Sequence, residues 1–106
     1  MQQITSLELQ RLLQNPETRP VLLDVREPHE FAYCRIEDSL NIPMNSVPAR
    51  IGELDPTRKT VVICHHGMRS ANVAHTLIRY DFADIINLAG GIDAWAERVE
   101  PDMPRY

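Results

Sequence analysis

The sequence is poor in cysteine, in positive charge and in long apolar stretches. Only two cysteines occur, Cys34 and Cys64. A small secreted domain would normally carry more, joined in disulfides, so a reducing, cytoplasmic setting is expected. Acidic residues outnumber basic ones, and the net charge is -4. Binders of nucleic acid or of anionic membranes need a basic face, so neither partner is expected. Any anion site must be locally positive within a mildly acidic protein. No apolar run is long enough to span a bilayer. The start, Met1-Gln2-Gln3-Ile4-Thr5, lacks the basic and apolar regions of a signal peptide. Repeats, low-complexity tracts and linkers are absent. What is present is ordinary for a globular chain: 43% hydrophobic and 25% charged residues over 106 positions. That length allows one domain, spanning 1–106, with a real core and none to spare.

Local signals divide the chain into alternating elements. Thr5-Ser6-Leu7-Glu8 is a capping box, with Ile4 and Leu9 at the staple positions. Leu9, Leu12 and Leu13 share one helical face, and Asn15-Pro16 stops the helix. Val21 to Val25 is a buried strand, and Pro28 to Tyr33 a short helix opened by proline. Ser39 to Ile42 is a weaker strand, and Ser46 to Leu54 is helical, with Pro48 near its start. Thr60 to Cys64 is the clearest strand. Val73, Ala74, Leu77 and Ile78 make the inner face of a helix ending near Asp81. Asp84 to Leu88 is a strand, Gly91 to Val99 a helix with Ile92 and Trp95 inward, and the tail from Pro101 to Tyr106 is irregular. Alternation of this kind implies an α/β fold, with a mostly parallel central sheet of about five strands covered by helices on both faces. Ligands of such sheets sit at the carboxyl ends of the strands, where both Cys64 and Asp24-Val25-Arg26 fall.

The chemistry concentrates in Val61-Val62-Ile63-Cys64-His65-His66-Gly67-Met68-Arg69-Ser70. An apolar run ends on a cysteine, a short loop with one glycine follows, then an arginine, Ser70 and a helical segment. Helix N-terminal N–H groups and a guanidinium both favour a thiolate there. The same groups would hold an anionic substrate. The stretch therefore reads as a cysteine nucleophile acting on a small anion. The plainer alternative is a buried core cysteine.

Four motifs in order make the chain resemble single-domain members of the rhodanese-like family of sulfurtransferases. Leu23-Asp24-Val25-Arg26-Glu27 matches the first. Glu30-Phe31, Ile36 and Asn41-Ile42-Pro43 match the second, commonly E-F-x-x-G-H-I-x-G-A-x-N-I-P. Cys64, Gly67, Arg69 and Ser70 match the loop C-R-x-G-x-R-S, and Ala89-Gly90-Gly91 with Ala94-Trp95 matches the last. The chain departs from the pattern at Cys34-Arg35 and Asp38-Ser39 on a connection, and at His65, where the family has arginine. With an ordinary pKa of about 6.5, His65 would be mostly neutral near pH 7. The resemblance implies a rhodanese-like fold and a double displacement. Cys64 would take a sulfane sulfur from a small anionic donor such as thiosulfate and pass it to cyanide, a thiol or a protein cysteine such as that of thioredoxin.

The remaining residues each carry two readings. Arg69 either holds the donor and favours the Cys64 thiolate or is a solvated residue at a helix start. The loop from His65 through His66, Gly67 and Met68 to Ser70 would supply anion-binding groups, chiefly backbone N–H; Gly67 is either part of that nest or an ordinary turn glycine. Asp24 and Arg26 are expected to pair structurally near the site. His29 and His75 read as surface residues. His65 and His66 sit too close in sequence to make a metal site, and neither metal nor cofactor is expected. Cys34 is either packing or a resolving thiol. Two other functions compete. One is a cysteine phosphatase or arsenate reductase, whose loop is one residue longer between Cys and Arg. The other is a non-catalytic rhodanese-like binding module, a class that commonly lacks the cysteine.

Overall fold

Five short strands, all parallel, make one sheet in a computed structural model that describes residues 1–106. They are β1 (Gln2–Ile4), β2 (Val21–Asp24), β3 (Leu40–Asn41), β4 (Thr60–Ile63) and β5 (Ile85–Leu88), in the order β1-β5-β4-β2-β3. The register sets Asp24 against Ile63 and Val62 against Asn87. The helices are α1 (Ser6–Leu13), α2 (Pro28–Tyr33), α3 (Val47–Arg50), α4 (Met68–Arg79) and α5 (Gly91–Arg98). Single 3-10 turns, Met44–Ser46 and Ile51–Glu53, flank α3. The helical reading of 46–54 therefore divides into three short pieces. β1 is a strand the sequence pattern does not show: Gln2 and Gln3 are exposed polar residues of low β-propensity, and only Ile4 is buried.

Side-chain alternation along the strands sorts the interior into two cores. Leu22, Val61, Ile63, Ile86 and Leu88 pack with Leu9 of α1 and Ile92, Trp95 and Ala96 of α5. Leu23, Val25, Val62, Cys64 and Ile85 pack with Val47 of α3 and Val73, Ala74 and Leu77 of α4. The sheet is thus covered on both faces, as the βα alternation implies. Ile78, expected inward, is exposed, because the α4 stripe closes on Val73, Ala74 and Leu77. Thr5 caps α1 as a full capping box, accepting from the Glu8 N–H at 3.2 Å while Glu8 accepts from the Thr5 N–H at 2.9 Å. Each such cap contributes about 1 kcal/mol. No helix is long and apolar enough to cross a membrane.

The order of the strands decides where a site can form. From β2 the chain moves outward to β3, then returns past β2 to β4 and continues to β5. The direction reverses between β2 and β4, so the crevice of this sheet lies beyond their carboxyl ends. Cys64 leaves β4 there, and Val25-Arg26 leaves β2.

Candidate active site

Cys64 is buried, and its sulfur lies in the α4-side core because it alternates with Ile63 and repeats the direction of Val62. The loop then turns at Gly67, whose φ of 109° belongs to the left-handed region that glycine enters without strain. This turn brings the Gly67 N–H to 2.9 Å from Cys64 Sγ and starts α4 at Met68. A backbone donor thus points at the sulfur, directly before the positive end of a twelve-residue helix. Gly67 thus combines a turn that needs glycine with an N–H aimed at the Cys64 sulfur.

Ser70, one turn further, places its hydroxyl 3.3 Å from Cys64 Sγ and donates to Asn87 Oδ1. Asn87 is a buried polar residue on β5, on the same face of the sheet as Cys64 by alternation. Its amide nitrogen donates to Gln3 Oε1 at 3.0 Å and to the Gly67 carbonyl at 3.2 Å, which orients its oxygen toward Ser70. This network, Gln3-Asn87-Ser70-Cys64, was missed in the sequence. Asn87 lies in an apolar run, and a buried asparagine there was the one available signal.

The loop carbonyls are held from the other side by α5. The Ile92 N–H donates to the Cys64 carbonyl at 2.8 Å and the Asp93 N–H to the His65 carbonyl at 3.1 Å. Gly91 makes this possible. At φ 60°, it lies so close that a Cβ would press into the carbonyl oxygens of Cys64 and His65.

Arg69 does not stand free. It closes a bidentate pair with Glu30 of α2, at 2.7 and 2.9 Å. Glu30 also accepts from the Glu27 N–H at 2.9 Å and the Tyr106 hydroxyl at 2.8 Å. The Arg69 guanidinium, aided by the Glu27 N–H and Tyr106 against the opposing effect of burial, holds the Glu30 carboxyl down at about 2. Glu30 reciprocally raises Arg69. Met68 is 83% exposed, so it contributes its position in the backbone and leaves its side chain at the rim.

His65 is half-buried between two rings. Tyr106 stacks on it at 4.0 Å and 13°, and His66 lies 4.0 Å away on the other side. Burial, then repulsion from His66, lowers its pKa against the pull of Asp93, so it is neutral near pH 7. His66 is exposed and lies 3.7 Å from Asp93. Asp93 joins the two histidines in space: one ligand atom each from His65, His66 and Asp93 lies within 4.8 Å of the others. Arg105 already pairs with that Asp93 at 2.8 Å, which opposes a further cation there.

Asp24 and Arg26 are wholly buried and pair at 2.7 to 3.1 Å. Arg26 further donates to the carbonyls of Cys34 and Glu30 and to the Tyr106 hydroxyl, so its charge is fully engaged in structure. Cys34 belongs to the α5-side core, whereas Cys64 belongs to the opposite one. The two thiols thus lie in different cores, Cys34 packed with Ile36 and Trp95 in its own. His29 and His75 are on the surface. The irregular tail folds back: Met103 packs into the α5-side core, Arg105 pairs with Asp93, and Tyr106 lies against His65 and Glu30.

A model of the Rhodanese-like domain matches residues 5–98. A sulfurtransferase of Allochromatium vinosum is 38% identical over 86 residues, covering 80% of each chain. The thiosulfate sulfurtransferase GlpE of Shewanella oneidensis is 33% identical over 98 residues, covering 92% of this chain and 97% of that protein. Among solved structures, a rhodanese-related protein from Thermoplasma volcanium superposes with a TM-score of 0.85 at 32% identity, covering 95% and 96% of the two chains.

Proposed function

This chain belongs to the rhodanese-like family, and we propose that it is a sulfurtransferase whose carrier is a persulfide on Cys64. The observation that carries this reading is the Cys64 sulfur, buried at the strand end with the Gly67 N–H 2.9 Å away and the Ser70 hydroxyl beside it. Groups that stabilise a thiolate also stabilise the terminal sulfur of a persulfide, since both are sulfur anions in the same cradle.

The reaction runs in two displacements. The Cys64 thiolate attacks the outer sulfur of a sulfane donor such as thiosulfate. The donor's S–S bond breaks, sulfite leaves with the electron pair, and the new sulfur stays on Cys64. A thiolate acceptor, on a small molecule or on a protein such as thioredoxin, then attacks that sulfur and restores the Cys64 thiolate. One hard transfer is split into two easier ones. Apart from the donor and the acceptor, every group in the scheme comes from the chain. The compact loop, with four residues between Cys64 and Arg69, suits sulfur atoms better than a phosphoryl group with its leaving oxygen.

Intact mass spectrometry after incubation with a sulfane donor tests the reading. The parent protein is expected to gain one sulfur, removable by a thiol, and Cys64→Ser none. A parent protein that gains no sulfur from thiosulfate or from any organic persulfide would leave the family's binding-module function in its place.

A further inference from the structure

The structure places three arginines around the loop, and each is closed on a carboxylate: Arg26 on Asp24, Arg69 on Glu30 and Arg105 on Asp93. Arg69 is the one that follows the loop directly. Both of its terminal nitrogens are engaged by Glu30. Glu30 takes two further donors, the Glu27 N–H and the Tyr106 hydroxyl, which fix its carboxylate in place. An incoming dianion must either displace a bidentate pair or approach a guanidinium already neutralised. His65, its pKa lowered by burial, is mostly neutral near pH 7, and Asp93 faces the exposed His66. The rim is therefore poorly suited to a small, doubly charged donor.

Beside the same Glu30 lies a hollow of about 330 Å³ lined by His29, Glu30, Tyr33 and Tyr106. Tyr33 and Tyr106 are 54% and 46% exposed and meet edge to face at 6.0 Å. An inorganic donor has nothing to place on this aromatic surface, whereas the body of an organic thiol does. A larger hollow, of about 420 Å³, is lined by Val21, Leu22 and Arg58 near the opposite, amino-terminal ends of the strands and has no part in this chemistry.

We propose that Glu30 is a specificity-determining residue: by neutralising Arg69 it biases Cys64 against small dianionic donors and toward sulfane sulfur borne on an organic thiol whose body rests on Tyr33 and Tyr106. The inference rests on the sulfurtransferase reading above. The Cys64 thiolate bonds to the outer sulfur of R–S–SH, the donor's S–S bond breaks, and R–S⁻ leaves with the electron pair. Sulfur and charge balance without an outside oxidant or reductant.

Single-turnover sulfur loading of the full chain, followed by intact mass, tests it. The donors are thiosulfate and the persulfide of N-acetylcysteine methyl ester. Glu30→Gln is expected to raise the thiosulfate rate about five- to tenfold by freeing one cation at a partly exposed site. That rate should also become steeply salt-sensitive. The organic donor should gain less, so that the ratio of the thiosulfate rate to the organic-donor rate rises about fivefold in Glu30→Gln. Glu30→Asp, which keeps the charge, should retain the parent's preference. Tyr33→Ala should raise the half-saturating concentration for the organic donor alone. A donor ratio unchanged in Glu30→Gln overturns the proposal, whether both rates hold or both fall, and so does a selective loss of thiosulfate. Equal effects of Tyr33→Ala on both donors overturn the placement of the organic body. A parent protein loaded by neither donor overturns the sulfurtransferase reading itself, so the two failures are distinguishable.

Discussion

Ser70 has one hydroxyl proton and two neighbours that can accept it. In the thiol state, Cys64 S–H can donate to Ser70, which donates to Asn87 Oδ1. Once the thiolate forms, the hydroxyl can turn to the sulfur, because an anion is the stronger acceptor. Ser70→Ala removes both options and leaves Asn87 Oδ1 buried without its partner. A loss of about 1–3 kcal/mol in urea unfolding is expected, together with slower sulfur loading of Cys64. Unchanged loading with reduced stability would confine Ser70 to a structural role. Gly91 allows a sharper test. Gly91→Ala forces a methyl group into the loop carbonyls at a positive φ. It should cost about 3 kcal/mol or more, whereas Gly52→Ala, with open space around it, should be well tolerated.

Between elements, the Arg69–Glu30 pair ties α4 to α2. Glu30 titrates near 2 in the folded protein against an ordinary 4.5. A depressed carboxyl contributes stability that is fully present above its unfolded value and is lost as pH falls toward the folded one. Stability should therefore decline between about pH 4.5 and pH 2, and Glu30→Gln should flatten that decline while lowering stability at neutral pH. An identical acid profile in the variant would remove the tie. This pair also marks how far the sequence was legible. Elements set by local rules are legible directly: the capping box at Thr5, the proline-opened α2, the β-branched run of β4 and the stripe of α4 apart from Ile78. β1 is not, because three residues cannot display a period, and its pairing partner β5 lies at the far end of the chain. Cys64, Gly67, Arg69 and Ser70 were legible because the loop is contiguous. Glu30, Asn87, Gln3 and Tyr106 were not, because pairings over 17 to 84 residues are made by topology and leave no local trace.

At the scale of the molecule, one buried guanidinium joins three parts of the fold. Arg26, at the exit of β2, holds Asp24, the carbonyls of Glu30 and Cys34 around the end of α2, and Tyr106 of the tail. Burial and the Glu30 carboxylate together push the Tyr106 phenol up to about 12 against the pull of Arg26, so it stays a neutral bridge at every pH where the fold is expected to work. Asp24→Asn leaves the guanidinium buried with no counter-charge. Removing one partner of such a pair costs about 3–5 kcal/mol, and a urea midpoint shifted by much less would mean that water reaches Arg26. The sequence placed both residues at a strand end, but Arg26 is completed by a tail that packs back from 80 residues away.

The grip of α5 on the Cys64 and His65 carbonyls has a kinetic consequence. With those oxygens anchored, the intervening peptide planes are held, and the Gly67 amide is already aimed at the sulfur before any donor arrives. Sulfur uptake then carries little reorganisation cost. Stopped-flow traces should show a single donor-dependent phase, without the added slow, donor-independent phase that a loop rearrangement would give.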